Sequence, residues 1–221
     1  MTHPLAVRVA LVIAAFAIAG AAQAQPSTNP QHAFVGLKKC GSCHGKEVIG
    51  DQVAAWRADP HAHAYQTLLE ERSLKLGAAR GIAAPPAQAP ECLACHVTAA
   101  GVSAASIAFP LDPADGVQCE SCHGPGKDFR EKKIMSDRDK AVAKGLWESG
   151  KDEKICTACH NPASPTWDPK RFALPGGKTA PFDFAAAKAA HTHPIPKDAK
   201  GKVLELEKKD KAAKGEQDDD E

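Results

Sequence analysis

The chain has 221 residues and a formal charge of +1, with 28 Lys and Arg against 27 Asp and Glu. No element gathers the basic residues on one face, and this excludes a nucleic-acid binder. Aromatic residues are 5% of the chain and much of the 43% hydrophobic content is alanine, so side chains alone build a thin core and something else must fill the interior.

The N-terminus reads as an export signal. Arg8 gives a positive start, Val9 to Gly20 is apolar, and Ala22-Gln23-Ala24 is a small-x-small cleavage pattern, which predicts a mature chain starting at Gln25 and a periplasmic location. No Cys follows the cut, which argues against a lipid anchor, and no later stretch reaches the ~20 apolar residues of a spanning helix. The signal occupies 1–24, one domain 25–196 and a charged, solvated tail 197–221, which ends in Asp218, Asp219, Asp220 and Glu221.

Within the domain, Glu47 to Arg57 is a predicted helix with Val48, Val53 and Trp56 available to pack. Asp59-Pro60 reads as an N-cap and first-turn proline opening a second helix through Leu68, Leu69, Leu74 and Leu76 to a stop at Gly77. Residues 78 to 91 form an Ala- and Pro-rich loop, and Val97 to Gln118 leaves room for a short hairpin at best. Gly124-Pro125-Gly126 is a forced turn. A helix follows near Asp139 to Ser149, then a Pro-rich connection from Asn161 to Pro181, then a last helix opened by Asp183 and running through Phe184 and Ala187 to His191. The expected fold is mainly α with long loops and little β.

All eight cysteines fall in pairs of one spacing, Cys40/Cys43, Cys92/Cys95, Cys119/Cys122 and Cys156/Cys159, each followed at once by a histidine, His44, His96, His123 and His160. Disulfides would be the ordinary reading of an even count in an exported chain. Zinc needs four ligands and gives no reason for a histidine after every pair, and a thioredoxin-like dithiol sits once per domain in a βαβ pattern that is absent here. Cys-x-x-Cys-His is instead the attachment signature of c-type haem, in which two sulfurs bond the porphyrin edge and the next imidazole binds iron. Four repeats predict four covalently bound haems in one domain.

The remaining donors decide which irons are closed on both faces. Beyond the motifs, the mature chain offers His32, His61, His63, His191, His193 and Met135. Methionine can serve one haem at most, so most closed haems are bis-histidine. Residues two apart do not share a helical face, so each His-x-His pair is expected to supply one ligand. That closes two haems and leaves two to His32, Met135, a lysine or nothing. An iron with an open face would bind a small ligand.

These residues resemble the tetrahaem cytochrome c-554 family. The stretch Gly116-Val117-Gln118-Cys119-Glu120-Ser121-Cys122-His123-Gly124-Pro125-Gly126, continuing through Phe129-Arg130, carries most of the likeness. Lys38 to His44, Trp56 to His61, Cys156 to His160 and Lys188 to His193 add to it. The resemblance implies that His61 is the distal ligand of the fourth haem and His191 that of the third. It also implies that the second haem, bound through His96, is five-coordinate, and that the haems form stacked pairs with close edges. Where the family closes its first haem with a histidine this chain has Lys133, and Met135, Lys132, Lys133 or His32 could substitute.

The function so implied is an electron carrier with no substrate turned over. Its partner would be a multihaem oxidoreductase, of the hydroxylamine-oxidising type the family serves, or a membrane quinone-linked cytochrome. The alternative is an enzyme that reduces or binds nitric oxide, nitrite or hydroxylamine at an open haem.

Overall fold

The computed structural model describes residues 32–164 and 182–196. The export signal, the charged tail and most of the Asn161 to Pro181 connection lie outside the described residues. Among those described, the fold is helical, with no strand and one isolated parallel bridge between Phe34 and Ile107. The elements are α1 (Leu37–His44), α2 (Gln52–Arg57), α3 (Ala64–Thr67), α4 (Glu71–Ala79), α5 (Pro90–His96), α6 (Cys119–His123), α7 (Lys132–Met135), α8 (Arg138–Ala143), α9 (Glu153–Thr157) and α10 (Phe184–Ala190).

Backbone chemistry breaks the longer predicted helices into these short ones. Asp51 stands in the left-handed region at φ 41 after a 3₁₀ turn over Glu47–Ile49, and its carboxylate caps α2 by accepting from the Ala54 N–H. Asp59 is the expected N-cap, with Pro60 in the first turn, but the helix it opens is a 3₁₀ turn over Pro60–His63 that leads into α3. Gly77 does not stop α4. It is buried within it, and a Cβ there would come within 3.2 Å of Pro86, so the missing side chain admits the following loop. The expected helix near Asp139 starts one residue earlier and ends at Ala143. The last helix follows its expectation, capped by Asp183 through the Ala186 N–H.

The core is as thin as the composition predicts. Buried apolar residues among those described are Ala33, Phe34, Val35, Val53, Ala62, Leu68, Ala89, Phe129, Ala141 and Phe182, and Val48, Leu69, Leu74, Val142 and Ile195 stay exposed. With four alanines in that list, apolar contact is a weak organiser, and polar clasps take over part of its work.

The strongest clasp is Glu120, 2% exposed and inside the third motif. Its carboxylate accepts from the N–H groups of Val35 (2.9 Å), Gly36 (2.7 Å) and Gly126 (2.6 Å). Burial pushes this carboxyl above the ordinary carboxylate range, against the pull of those three donors. Beside it, Gln118 caps α1 by accepting from the Leu37 N–H at 2.8 Å. Gln118 and Glu120, on either side of Cys119, thus hold the segment that carries the first motif.

Gly124 closes the third motif at φ 81 and ψ 169, where a Cβ would lie 2.8 Å from the Trp147 ring. Trp147 is held there by its N–H donating to the His123 carbonyl at 2.9 Å. Glu120→Ala leaves three buried donors unmet at about 1–3 kcal/mol each, so we expect a loss of several kcal/mol in the denaturant midpoint of the mature protein. Glu120→Gln keeps one acceptor oxygen and should lose less. Gly124→Ala forces a side chain into a glycine-only region and should lose about 1–3 kcal/mol, read as a lower melting temperature.

Candidate haem-binding site

Each Cys-x-x-Cys-His segment lies on a single helical turn. The first three close α1, α5 and α6, and the fourth runs off the end of α9, where the His160 N–H donates to the Cys156 carbonyl at 3.0 Å. On such a turn positions i, i+3 and i+4 share one face, so both sulfurs and the imidazole of a motif face the same side.

All eight cysteines are free thiols, which removes the disulfide reading for a chain whose pairs sit three residues apart. Sulfurs of different motifs lie near one another: Cys40 and Cys119 shift each other's titration, as do Cys95 and Cys159. The first motif therefore adjoins the third and the second adjoins the fourth. Cys122, pushed up to about 11 by burial, feels Cys156 across the packed turns of α6 and α9.

The histidines divide by which ring nitrogen is engaged. His44 bonds through Nδ1 to Gln52 Oε1 at 3.0 Å, and His96 through Nδ1 to the Ala64 carbonyl at 2.7 Å. His61 bonds through Nδ1 to Asp59 Oδ1 at 2.9 Å, His191 through Nδ1 to Asp59 Oδ2 at 2.5 Å, and His193 through Nδ1 to the Pro194 carbonyl at 3.1 Å. An acceptor on Nδ1 puts the proton there and leaves the Nε2 lone pair for a metal. His63 is the reverse, with Nε2 donating to the Arg57 carbonyl at 3.0 Å.

Two imidazole pairs stand opposed. His61 and His160 have ring centroids 5.9 Å apart at 88°. His123 and His193 have centroids 5.7 Å apart, with Nε2 atoms separated by 3.5 Å. Two opposed metal–nitrogen bonds of about 2 Å each would put the nitrogens roughly 4 Å apart, a spacing that the His123 and His193 nitrogens approach. His123 is deeply buried, and burial followed by the neighbouring His193 and His44 pushes it down to about 4. It is a neutral imidazole.

The structure brings together donors that the sequence could only count. His191, which the resemblance assigns to the third haem, lies against the His61 ring with centroids 4.6 Å apart, and the nitrogen facing His123 is that of His193. Lys133 pairs with Glu131 at 3.3 Å with its side chain 80% exposed. His32 bonds through Nδ1 to Asp128 at 2.6 Å and lays its ring against Gly145. Met135 is half-buried at the end of α7.

Two residues escaped the sequence reading as parts of this site. Gln52 holds His44 with its oxygen while its amide donates to the Pro194 carbonyl at 3.0 Å, and Asp59 holds two histidines at once. Asp59 was visible as a helix cap only, because its second partner is 132 residues away.

A family model described as cytochrome c554 and c-prime matches residues 39–124, a stretch that contains the first three motifs. Cytochrome c-554 of Nitrosomonas europaea is 35% identical over 141 residues, which cover 58% of this chain and 57% of that protein. The chain thus spans little more than half the length of the relative it matches. No solved structure matches it. Over residues 39–124 the chain carries the cytochrome c554 and c-prime pattern, and the resemblance first read from its Cys-x-x-Cys-His motifs is borne out.

Proposed function

We propose that this chain is a periplasmic c-type cytochrome that carries four haems and relays electrons between redox proteins. The observation that carries the reading is the convergence of four Cys-x-x-Cys-His turns on one folded unit, with thiols of different motifs near one another and imidazole rings paired. Haem, once bound, supplies one-electron iron chemistry. The residues supply the rest. Cys40, Cys43, Cys92, Cys95, Cys119, Cys122, Cys156 and Cys159 attach the porphyrins, and His44, His96, His123 and His160 give each iron its first axial nitrogen.

His61 closes the fourth haem opposite His160. For the third haem the opposed nitrogen favours His193 over the His191 of the family resemblance. The first haem takes Met135: Lys133 is turned to Glu131, the His32 ring is packed against Gly145 and Lys132 is exposed, whereas Met135 is half-buried. A methionine there sets that haem at a higher potential than its bis-histidine neighbours. The contacts between first and third motifs, second and fourth, and third and fourth support an arrangement of close-edged pairs through which electrons hop. The partners, by the same resemblance, are a multihaem oxidoreductase or a membrane quinone-linked cytochrome. No described helix is long and apolar enough to cross a membrane.

A second reading has its own observation. A cavity of about 1040 Å³ adjoins the second motif at Leu93 and Ala94, and Tyr65 is the only ionisable residue in its lining. Without imidazole or thioether on that wall, a five-coordinate second haem able to bind nitric oxide or a related small molecule is the chemistry it supports.

Pyridine haemochrome quantitation with the intact mass of the exported protein should give four haems per chain; a colourless protein with the mass of its amino acids overturns the reading. His193→Ala should convert one low-spin haem to high-spin with all haems retained, while His191→Ala leaves the spin states unchanged. The opposite result returns the third haem to His191. Met135→Ala should abolish a methionine-to-iron charge-transfer band. Nitric oxide or cyanide should shift the spectrum of a minority of the haems if the second iron is open.

A further inference from the structure

We propose that Asp59 is a positioning residue shared by two haem faces, one carboxylate that orients the His61 imidazole directly and sets the place of His193 through His191. The inference rests on the reading that these imidazoles ligate haem.

The geometry is a fork. Asp59 Oδ1 accepts from both the backbone N–H of His61 at 2.8 Å and its ring Nδ1 at 2.9 Å, so the same oxygen caps the turn and fixes the ring. The other oxygen accepts from His191 Nδ1 at 2.5 Å. The carboxylate is 15% exposed, while the His61 and His191 side chains are 31% and 39% exposed.

An ionised carboxylate can only accept, so both rings must carry their proton on Nδ1. For His61 this leaves Nε2 without the proton, and the His160 ring stands with its centroid 5.9 Å away. A carboxylate on the far nitrogen also makes an imidazole a more basic ligand, which favours the oxidised metal. For His191 the consequence is mechanical. It ends α10, and two residues later His193 stands opposite His123. Two residues reach at most ~7 Å, so pinning His191 confines His193. Asp59, His61 and His191 offer donor atoms within 4.8 Å of one another, and the hydrogen bonds already use the carboxylate and both Nδ1 atoms.

The test is a potentiometric titration with low-temperature EPR of the intact holoprotein, with haem content checked in each variant. Asp59→Ala should move two of the four one-electron steps, the His61 haem upward in potential and the His193 haem through a changed low-spin g-tensor. The other two steps should stay in place, and Asp59→Glu should restore both. Since Asp59 also caps a turn, His191→Ala supplies a variant that keeps the cap. It should perturb the His193 haem without creating a high-spin signal. A single shifted haem in Asp59→Ala, no shift at all, or a high-spin iron in His191→Ala overturns the sharing. A wild-type protein lacking haem removes the parent reading, which the haem assay reports separately.

Discussion

Three backbone N–H groups from two distant stretches end on one carboxylate, and the fold depends on that convergence. Val35 and Gly36 precede the first motif and Gly126 follows the third, so Glu120 ties a helix start to a turn some 85 residues on. In a protein rich in large apolar side chains such a clasp would be an ornament on a packed core. Here the buried apolar set is small and alanine-rich, and directional polar contacts fix what apolar packing leaves free. The clasp lies within a Cys-x-x-Cys-His segment, so the same residues that present sulfurs also hold the scaffold.

The site is organised by a simple scarcity. An imidazole has two nitrogens, and a ring whose Nε2 meets a metal must find an acceptor for Nδ1 or leave a donor stranded. The chain solves this with whatever lies nearest: a glutamine for His44, a carbonyl for His96, a carboxylate for His61 and His191, a carbonyl for His193. His63 shows the converse, because its Nε2 is bonded to backbone and the ring is withdrawn from metal chemistry. In the His61/His63 pair hydrogen bonding thus separates two rings that spacing alone cannot, whereas His191 and His193 both bond through Nδ1.

Much of the site could be read from residues whose meaning is local. A Cys-x-x-Cys-His pentapeptide is a single helical turn wherever it occurs, and Asp59-Pro60 and Asp183 announce helix starts that the structure contains. What could not be read depends on distant partners. Gly77 looks like a helix stop, and only the approach of Pro86 shows why it sits inside one. Asp51 in a left-handed conformation splits a helix that periodicity would have run through. That His191 meets Asp59 while His193 faces His123 depends on partners far away in sequence.

The segment from His191 to Ile195 reaches two motif histidines, His123 through His193 and His44 through Gln52 and the Pro194 carbonyl, and a third imidazole, His61, through Asp59. Its consequence is one of timing. This segment follows every cysteine pair in the chain, so the contacts that latch three imidazoles join the end of the described fold to its beginning and cannot close until all the intervening turns are in place.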